Sequence, residues 1–430
     1  MILSTLDQID TSNIPVVIVG SGPAAITMAL ELEKNNIESL IIEAGEEKYS
    51  NNSQQSYEGE IVGDKISALT HNRLRQFGGT SGHWGGWCKP LEHYNFTNWN
   101  INKEDLDKYS DKACEILAIK NQFRNVELNK YFEQIEFQYS MVRFAKKFKN
   151  KIEKSKYIKL ILKTQVTHFE GNDNITRYAI CYSKGKRYKI HSKYFILACG
   201  GIENSRILLW TKEKNVGFID INLPIGKYWM CHPWMLGGVG VLKKNKFKKI
   251  LKENYINYEG PIHIATTSNI REEENILGGA LYMNAIEDTK IHKEIIKDFL
   301  CVAPELGKKI ARKVFKKDLK CGNIFLQTEE EPKINNQIKL HSNLQDSLGV
   351  PITKLFYFQS KSTVKNAKII LENFGNFCRK TDSGRIAIKE EIDSLKGYDS
   401  LGVNHHLGGT RMGDNSKTSV VDKNLKLHNN

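Results

Sequence analysis

The hydrophobic positions near the N-terminus predict a strand, a helix and a second strand in close succession. Pro15–Gly20 is a continuous apolar run, which favours a strand buried on both faces of a parallel sheet. Apolar residues then recur at helical spacing through Ile26–Lys34, and two asparagines end the helix. Glu38–Glu43 is a second apolar run. This order predicts one βαβ unit with parallel strands.

The pattern further along the chain is mixed, without internal repeats. Residues 104–160 favour helices rich in lysine. Short alternating strands are predicted over Ile175–Ser183 and Lys186–His191. A buried strand over Tyr194–Gly200 and a helix over Glu203–Trp210 follow. Together these elements predict a fold of the α/β class.

A glycine-rich turn joins the first predicted strand to its helix. In Gly20-Ser-Gly-Pro-Ala-Ala25, Gly20 permits the tight turn, Gly22 lets a phosphate approach the main chain, and Ala25 keeps helix and strand close. Backbone N–H groups and the helix dipole favour a diphosphate there. Glu43 ends the second strand, where a carboxylate can accept hydrogen bonds from ribose hydroxyls. The unit predicts a dinucleotide site without separating NAD from FAD.

A second glycine-rich block lies at Gly78–Gly86. It holds five glycines in nine residues, together with His83 and Trp84. A flexible surface loop is one interpretation of so many glycines. The histidine and tryptophan favour the other, a segment folded tightly against a flat or anionic ligand.

A third glycine-rich block, Asn404–Gly413, contains the adjacent residues His405 and His406. Adjacent side chains on a strand point to opposite faces, so a metal ion shared by the two rings is disfavoured. The spacing alone leaves three roles open for the pair: a catalytic base, packing in the core, or a metal ligand.

Composition limits the classes of protein that fit. Of the 430 residues, 40% are hydrophobic and 26% charged, a globular mixture that excludes a wholly disordered chain. No apolar stretch reaches the ~18 residues of a membrane span, so we expect no span. Met1–Pro15 carries Asp7 and Asp10 and has no long apolar region, so we expect no secretory signal. The eight cysteines form no C-x-x-C pair, which favours reduced thiols in a cytoplasmic protein.

The positive charge comes from local lysine clusters. Lysine and arginine number 63 against 49 acidic residues, a net charge of +14. Lys308–Lys320 predicts a basic amphipathic helix, either a solvated face or a surface for an anionic partner or membrane. Because no motif interleaves aromatic and basic residues, no nucleic acid is expected as a partner.

Taken in order, the blocks resemble the glucose–methanol–choline family of FAD-dependent oxidoreductases. The matching segments are Val17–Gly22, Ile42–Gly45, Gly78–Gly86, Leu197–Arg206, Gly226–Pro233, Glu331–Leu340, His405–Gly413 and Val420–Asp422. The second and third glycine-rich blocks most resemble the bacterial branch that oxidises sugars and aminocyclitols. Their order along most of the chain makes the resemblance specific.

The resemblance implies a Rossmann-like FAD-binding domain with a parallel sheet and an inserted α+β substrate domain built on an antiparallel sheet. The first would comprise about residues 10–90, 160–225 and 400–430, and the second 91–159 and 226–399. The implied FAD contacts are Gly20, Ser21, Gly22, Pro23, Ala24, Ala25, Glu43, Ala44, Gly79, Thr80, Ser81, His83, Trp84, Gly85, Val166, Ala198, Cys199 and Gly200.

The chemistry implied by the resemblance is oxidation of a CH–OH group on a small alcohol or sugar. The substrate gives a hydride to flavin N5, and a histidine, neutral and basic at cellular pH, takes the hydroxyl proton. Counting back from Arg411 matches His405 to this base, and a one-residue slip would exchange it for His406. His83 matches the position at which some members bind flavin covalently, and His232 is expected to be structural. The electron acceptor and the oligomeric state stay open.

The chain also departs from the family after Lys426–His428. There the family continues into a buried strand and a helix, which cover part of the flavin and supply a second polar catalytic residue. The expectation is a truncated member with impaired flavin retention and weak or absent activity. Two rivals stay open: an NAD-dependent dehydrogenase on the same βαβ unit, and a non-catalytic protein that binds anions or nucleic acid.

Overall fold

Two seven-stranded sheets and one three-stranded sheet organise the computed structural model, which describes residues 1–64, 66–172, 175–243, 246, 249–250, 262–285, 319–389 and 404–428. The strands are β1 Ile2–Leu3, β2 Ile14–Val19, β3 Ser39–Ile42, β4 Gly59–Gly63, β5 Trp87–Cys88, β6 Asn125–Glu127, β7 Phe132–Ile135, β8 Gln138–Tyr139, β9 Ile158–Ile161, β10 Thr164–Asn172, β11 Ile175–Ser183, β12 Lys186–Leu197, β13 Trp234–Lys243, β14 Ile262–Thr266, β15 Gly279–Ala285, β16 Leu319–Thr328, β17 Gln337–Gln345, β18 Pro351–Tyr357 and β19 Gly384–Ile388. The helices are α1 Pro23–Lys34, α2 Asn51–Gln55, α3 Lys103–Asp107, α4 Ser110–Leu117, α5 Phe144–Lys154, α6 Gly200–Lys214, α7 Ser268–Glu273 and α8 Lys361–Lys380. No helix among these residues is both long and apolar enough to cross a bilayer.

The first sheet contains the predicted βαβ unit. Its strand order is β1-β9-β3-β2-β12-β11-β10, and the strands from β1 to β12 pair in parallel. Every residue of β3 is buried, as is nearly all of β2, because α1 and α6 cover opposite faces of the sheet. The prediction of two parallel strands around a helix is therefore confirmed.

Strand β12 corrects the sequence interpretation of residues 186–200. In place of two separate strands, one continuous strand changes neighbours at its middle. Its first half pairs with β11 in antiparallel fashion, and its second half pairs with β2 in parallel. Tyr194 is 58% exposed, so the predicted burial of the second half is wrong at this residue. The apolar run that contains Tyr194 indicated burial, but the exposure of a strand residue also depends on whether another part of the fold covers its side of the sheet.

Residues 104–160 are less helical than their composition predicts. Helices α3, α4 and α5 occupy part of the segment, while β6, β7 and β8 occupy its middle. Strand β7 pairs with β14, so a contact between residues more than 120 positions apart overrides the local preference. The helix predicted over Lys308–Lys320 lies outside the described residues, except at its end, where β16 begins.

The second sheet is antiparallel throughout its described strands, in the order β19-β13-β16-β15-β14-β7-β6. One face packs against α8, where Leu281 and Leu326 join Ile370 and Phe374 in a buried cluster. The fold class is therefore α/β, with a parallel sheet and a second, antiparallel sheet as predicted. The proposed division of the chain into two domains stays a prediction.

A buried ion network ties the small third sheet to α6. In that sheet β18 pairs with β17 and with β4. Arg206 on α6 donates to Asp346 at 2.8 Å and to the carbonyl of Pro351 at 2.8 Å. Burial would raise the pKa of Asp346, but the guanidinium of Arg206 holds it below its ordinary value. The loop between β17 and β18 is thus fixed to α6 by charge.

The ion pair gives a stability prediction. Asp346→Asn removes the charge facing Arg206, and breaking a buried pair typically costs about 3 kcal/mol or more. We expect a lower midpoint in denaturant unfolding followed by circular dichroism. The matched control is Asp382→Asn, whose exposed pair with Lys243 should leave the midpoint unchanged. Equal midpoints for the two variants would show that the buried pair contributes nothing.

Candidate functional site

The two glycines of the first turn serve different purposes. Gly20 has φ +97°, and a Cβ on it would lie 2.6 Å from the carbonyl oxygen of Ala198, so only glycine fits. Gly22 has an ordinary backbone conformation, and a Cβ on it would meet no atom within 4 Å. Gly20 thus lets the turn pass close to the neighbouring strand, whereas Gly22 leaves open space in front of the helix.

That open space belongs to a cleft of about 420 Å³ at the carboxyl end of the parallel sheet. The amino ends of α1 and α6 both reach the cleft, which concentrates backbone N–H groups there. The predicted residues that line it are Gly20, Ser21, Gly22, Pro23, Ala24, Glu43, Ala44, Gly79, Thr80, Val166, Ala198, Cys199, Gly200 and His406. The predicted residues outside its lining are Ala25, Ser81, His83, Trp84, Gly85 and His405.

The carboxylate of Glu43 is fixed by hydrogen bonds from Ser21 and Gly45. One carboxylate oxygen accepts from the Ser21 N–H at 3.0 Å and the Ser21 hydroxyl at 2.6 Å, and the other accepts from the Gly45 N–H at 2.7 Å. Burial raises the pKa of this carboxyl group. The Gly78 N–H donates in turn to the Ser21 hydroxyl at 3.2 Å. Glu43 therefore fixes the turn while it lines the cleft.

The second glycine-rich block packs against the first. A Cβ on Gly79 would lie 3.1 Å from Cα of Gly22, so the two backbones approach closely. Trp84 donates its indole N–H to the carbonyl of Val142 at 2.9 Å and stands edge-on to Phe144. His83 is exposed, and partial burial lowers its pKa. The block thus forms one wall of the cleft while His83 points away from the lining.

A charged part of the cleft lining was not predicted from the sequence. The guanidinium of Arg73 stacks 3.9 Å from the ring of Tyr57 and donates to Glu203 at 2.8 Å. Burial would raise the pKa of Glu203, but Arg206 and Arg73 hold it below its ordinary value. The sequence signal was limited to the block 197–206, which contains Glu203 and Arg206. Arg73 and Tyr57 lie in residues 46–75, which are polar and irregular in sequence.

The adjacent histidines of the third block point to opposite sides. His406 lines the cleft beside Trp229, and both of its ring nitrogens are buried without a hydrogen-bond partner among the described residues. Burial and the nearby Arg73 lower the pKa of His406 to about 3. His405 instead meets His232, with 2.5 Å between the facing ring nitrogens.

A second cavity of about 220 Å³ lies on the other side of His232. It opens on the face of the antiparallel sheet opposite α8, since Gln327 alternates with the buried Leu326. The polar side chains in its lining are Lys89, Glu92, Tyr94, Asn95, Glu133, His232, Gln327, Thr328 and Glu329. On the same face, two residues further along, Phe325 and Tyr282 stack at 5.1 Å. The cavity itself is lined by hydrogen-bonding groups, and the aromatic pair lies outside its lining.

Glu330 lies buried behind the histidine segment. Its carboxylate accepts from the Cys231 N–H at 3.3 Å and from the Tyr357 hydroxyl at 3.0 Å. The residue is only 7% exposed, and burial raises its pKa to about 7. The carboxyl group that supports this segment is therefore only partly ionised at neutral pH.

Residues 332–430 match the model of the GMC oxidoreductase family. Among curated proteins, the fructose dehydrogenase large subunit of Gluconobacter japonicus is 23% identical over 265 residues. That match covers 60% of this chain and 44% of the relative. The chain therefore spans less than half the length of this relative.

Solved structures of similar fold extend over nearly the whole chain. Pyridoxine 4-oxidase from Mesorbium loti superposes with a TM-score of 0.60 at 12% identity, covering 97% of this chain and 92% of that one. A formate oxidase of Aspergillus oryzae RIB40, studied for modification of its FAD, gives 0.59 at 14% identity, covering 98% and 92%. An FAD-dependent oxidoreductase from Chaetomium thermophilum gives 0.57 at 10% identity, covering 97% and 93%. At these identities the likeness is one of fold.

The buried carboxyl group predicts a pH-dependent stability. Folded Glu330 keeps its proton up to about pH 7, whereas the unfolded chain loses it near pH 4.5. The folded state therefore binds more protons in this window, and stability falls as the pH rises through it. We expect a loss of about 2 kcal/mol between pH 5 and pH 7 from this group.

Denaturant unfolding at several pH values measures this loss. Glu330→Gln, which mimics the protonated acid, should flatten the decline. The control is Glu331→Gln at the exposed neighbouring residue, which should keep the wild-type slope. If Glu330→Gln also kept that slope, Glu330 would not be the group that titrates.

Proposed function

We propose that this chain, whose residues 332–430 match the model of the GMC oxidoreductase family, binds FAD and oxidises a CH–OH group of an alcohol or sugar. The observation that carries the proposal is the cleft in front of Gly22, open between the amino ends of α1 and α6. Two helix amino ends around one open space favour a diphosphate, which a dinucleotide supplies.

The residues around the cleft suit this cofactor. A Cβ on Gly22 or on Gly200 would meet no atom within 4 Å, so backbone N–H groups there are accessible to phosphate oxygens. The buried ring nitrogens of His406, without partners among the described residues, offer a hydrogen bond inside the cleft. When bound, FAD supplies an acceptor for the hydride of the substrate carbon.

His405 is the base in this proposal. It is exposed among the described residues, so a hydroxyl group can approach its ring. His406 would be the base if the match to the family motif were shifted by one residue. Its pKa of about 3 makes it a weak base at neutral pH. Its place in the cleft lining favours a contact with the cofactor instead.

The second cavity favours a sugar-like substrate. Asn95, Gln327 and the carboxylates of its lining can bind several hydroxyl groups at once. Because His232 lines the cavity and contacts His405, a hydroxyl bound there lies on the side of the proposed base.

Reduction of bound flavin by substrate tests the proposed function. The full chain, loaded with FAD without oxygen, should lose its visible flavin absorption when a sugar or cyclitol is added. His405→Ala should slow this loss by roughly 10²–10⁴-fold, the usual contribution of a general base, while FAD still binds. A protein that holds a nucleotide without visible absorption, or a flavin that no alcohol reduces, would contradict the proposal.

Because Gly20 and Gly22 have different roles in the turn, we expect substitutions of Gly22 to lower FAD affinity and substitutions of Gly20 to lower stability. Gly22→Val places its side chain in the open cleft, so we expect a folded protein with FAD affinity lowered by at least about tenfold, measured by fluorescence titration. Gly20→Ala should lower the melting temperature, because its Cβ meets the Ala198 carbonyl. Gly375→Ala on α8, with open space around its Cβ, serves as the control. Unchanged FAD affinity in Gly22→Val would exclude this turn as the phosphate site.

A further inference from the structure

Two alanines form part of the floor of the second cavity. Ala265 on β14 and Ala280 on β15 lie directly opposite each other, and both line the cavity. Their neighbours Ile264 and Leu281 belong to the buried cluster that packs against α8. Because successive side chains on a strand point to opposite faces, the two alanines face away from α8 and toward the cavity.

The next row on the same face of the sheet consists of large side chains. His263, Tyr282 and Phe325 are cross-strand neighbours in this row, and their ring centroids lie 5.7 and 5.1 Å apart. Leu236 continues the row on β13, opposite Phe325. These four residues lie outside the cavity lining. The cavity therefore lies where the side chains on this face become short.

Polar side chains stand on both sides of the two alanines. Glu133 on β7 is opposite Ala265, Gln327 on β16 is opposite Ala280, and both line the cavity. Neighbouring strands lie about 4.8 Å apart, so β7 and β16 are separated by roughly 14 Å. A ring resting on the alanines would thus have a carboxyl group on one side and an amide on the other, and both can bind hydroxyl groups.

The segment 89–95 forms another wall of the cavity and is fixed to the rest of the molecule at two points. Asn95 donates to Glu329 at 3.1 Å, and the guanidinium of Arg271 lies 3.7 Å from the ring centroid of Tyr94. Arg271 also donates to Glu329 at 3.1 Å. Because this wall is anchored, larger side chains on the floor would reduce the space in the cavity instead of displacing the wall.

The volume of the cavity limits what it can hold. It measures about 220 Å³. Sites for drug-sized ligands typically measure ~300–1,000 Å³, so this cavity suits a smaller molecule. A single ring that carries several hydroxyl groups meets both the size and the polar lining.

We propose that Ala265 and Ala280 determine substrate size, because their short side chains leave room for one polyhydroxylated ring between Glu133 and Gln327. This inference rests on the proposed function. A larger side chain at either position occupies that room. It therefore excludes a ring while it leaves space for a shorter polyol.

The test compares ring and open-chain alcohols in the FAD-loaded full chain, with reduction of the flavin by D-glucose, myo-inositol and glycerol as the readout. Ala280→Leu should raise KM for the two rings by roughly tenfold or more relative to glycerol, because an extra side chain in a fixed space is poorly accommodated. Ala265→Val adds less volume and should have a smaller effect in the same direction. Ala387→Leu, at an exposed position on the edge strand β19, is the control and should match the wild type.

Stabilisation by bound ligand gives a readout independent of activity. An excess of myo-inositol should raise the melting temperature of the wild type and of Ala387→Leu more than that of Ala280→Leu. Polyols also stabilise folded proteins without binding, so the difference between the variants is the quantity that counts.

Equal stabilisation of Ala280→Leu and the wild type, or equal KM values for the rings, would overturn the inference. A wild-type protein that neither ring stabilises beyond Ala280→Leu would overturn it as well. If Ala280→Leu did not fold, the smaller change in Ala265→Val would decide the question by the same two measurements. If no alcohol reduced the flavin, the proposed function would fail, and the melting temperatures would still decide whether the alanines admit a ring.

Discussion

A buried carboxylate holds the candidate site together. Glu43 accepts two hydrogen bonds from Ser21, in the turn after β2, and one from the N–H of Gly45, shortly after β3. The Ser21 hydroxyl in turn accepts a hydrogen bond from the N–H of Gly78. A buried carboxylate without such donors would be costly, so these bonds are a condition of the fold. Glu43 and the Ser21 hydroxyl thus connect the two glycine-rich segments that line the cleft.

The parallel and antiparallel sheets meet at a short pairing of two distant segments. Residues 229–233 run beside residues 404–408, and the bridge between Met230 and Leu407 sets their register. Trp229 lies below His406, and Glu330 supports Cys231 from behind. The chemistry proposed for this protein therefore depends on how well a few backbone hydrogen bonds align these two segments.

The sequence was sufficient to predict the elements that are formed by residues close together in the chain. The apolar runs around Gly20 are contiguous, and their burial confirms the parallel pair with its helix. Contacts between residues far apart in sequence could not be predicted from hydrophobic patterns or motif spacing. Arg73 meets Glu203 across 130 positions, and His232 meets His405 across 173, with no spacing to indicate either pair. The strands within residues 104–160 were missed for the same reason, because β7 forms against β14.

The alternation of side chains along an extended segment has one more consequence. His406 lies on the wall of the cleft, while His405 contacts a residue on the wall of the second cavity. The partition between the two compartments consists here of this backbone and the facing rings of His405 and His232. A substitution that moves this backbone therefore displaces a side chain in the wall of the cleft together with one that touches the wall of the second cavity, so the two walls cannot change independently at this point.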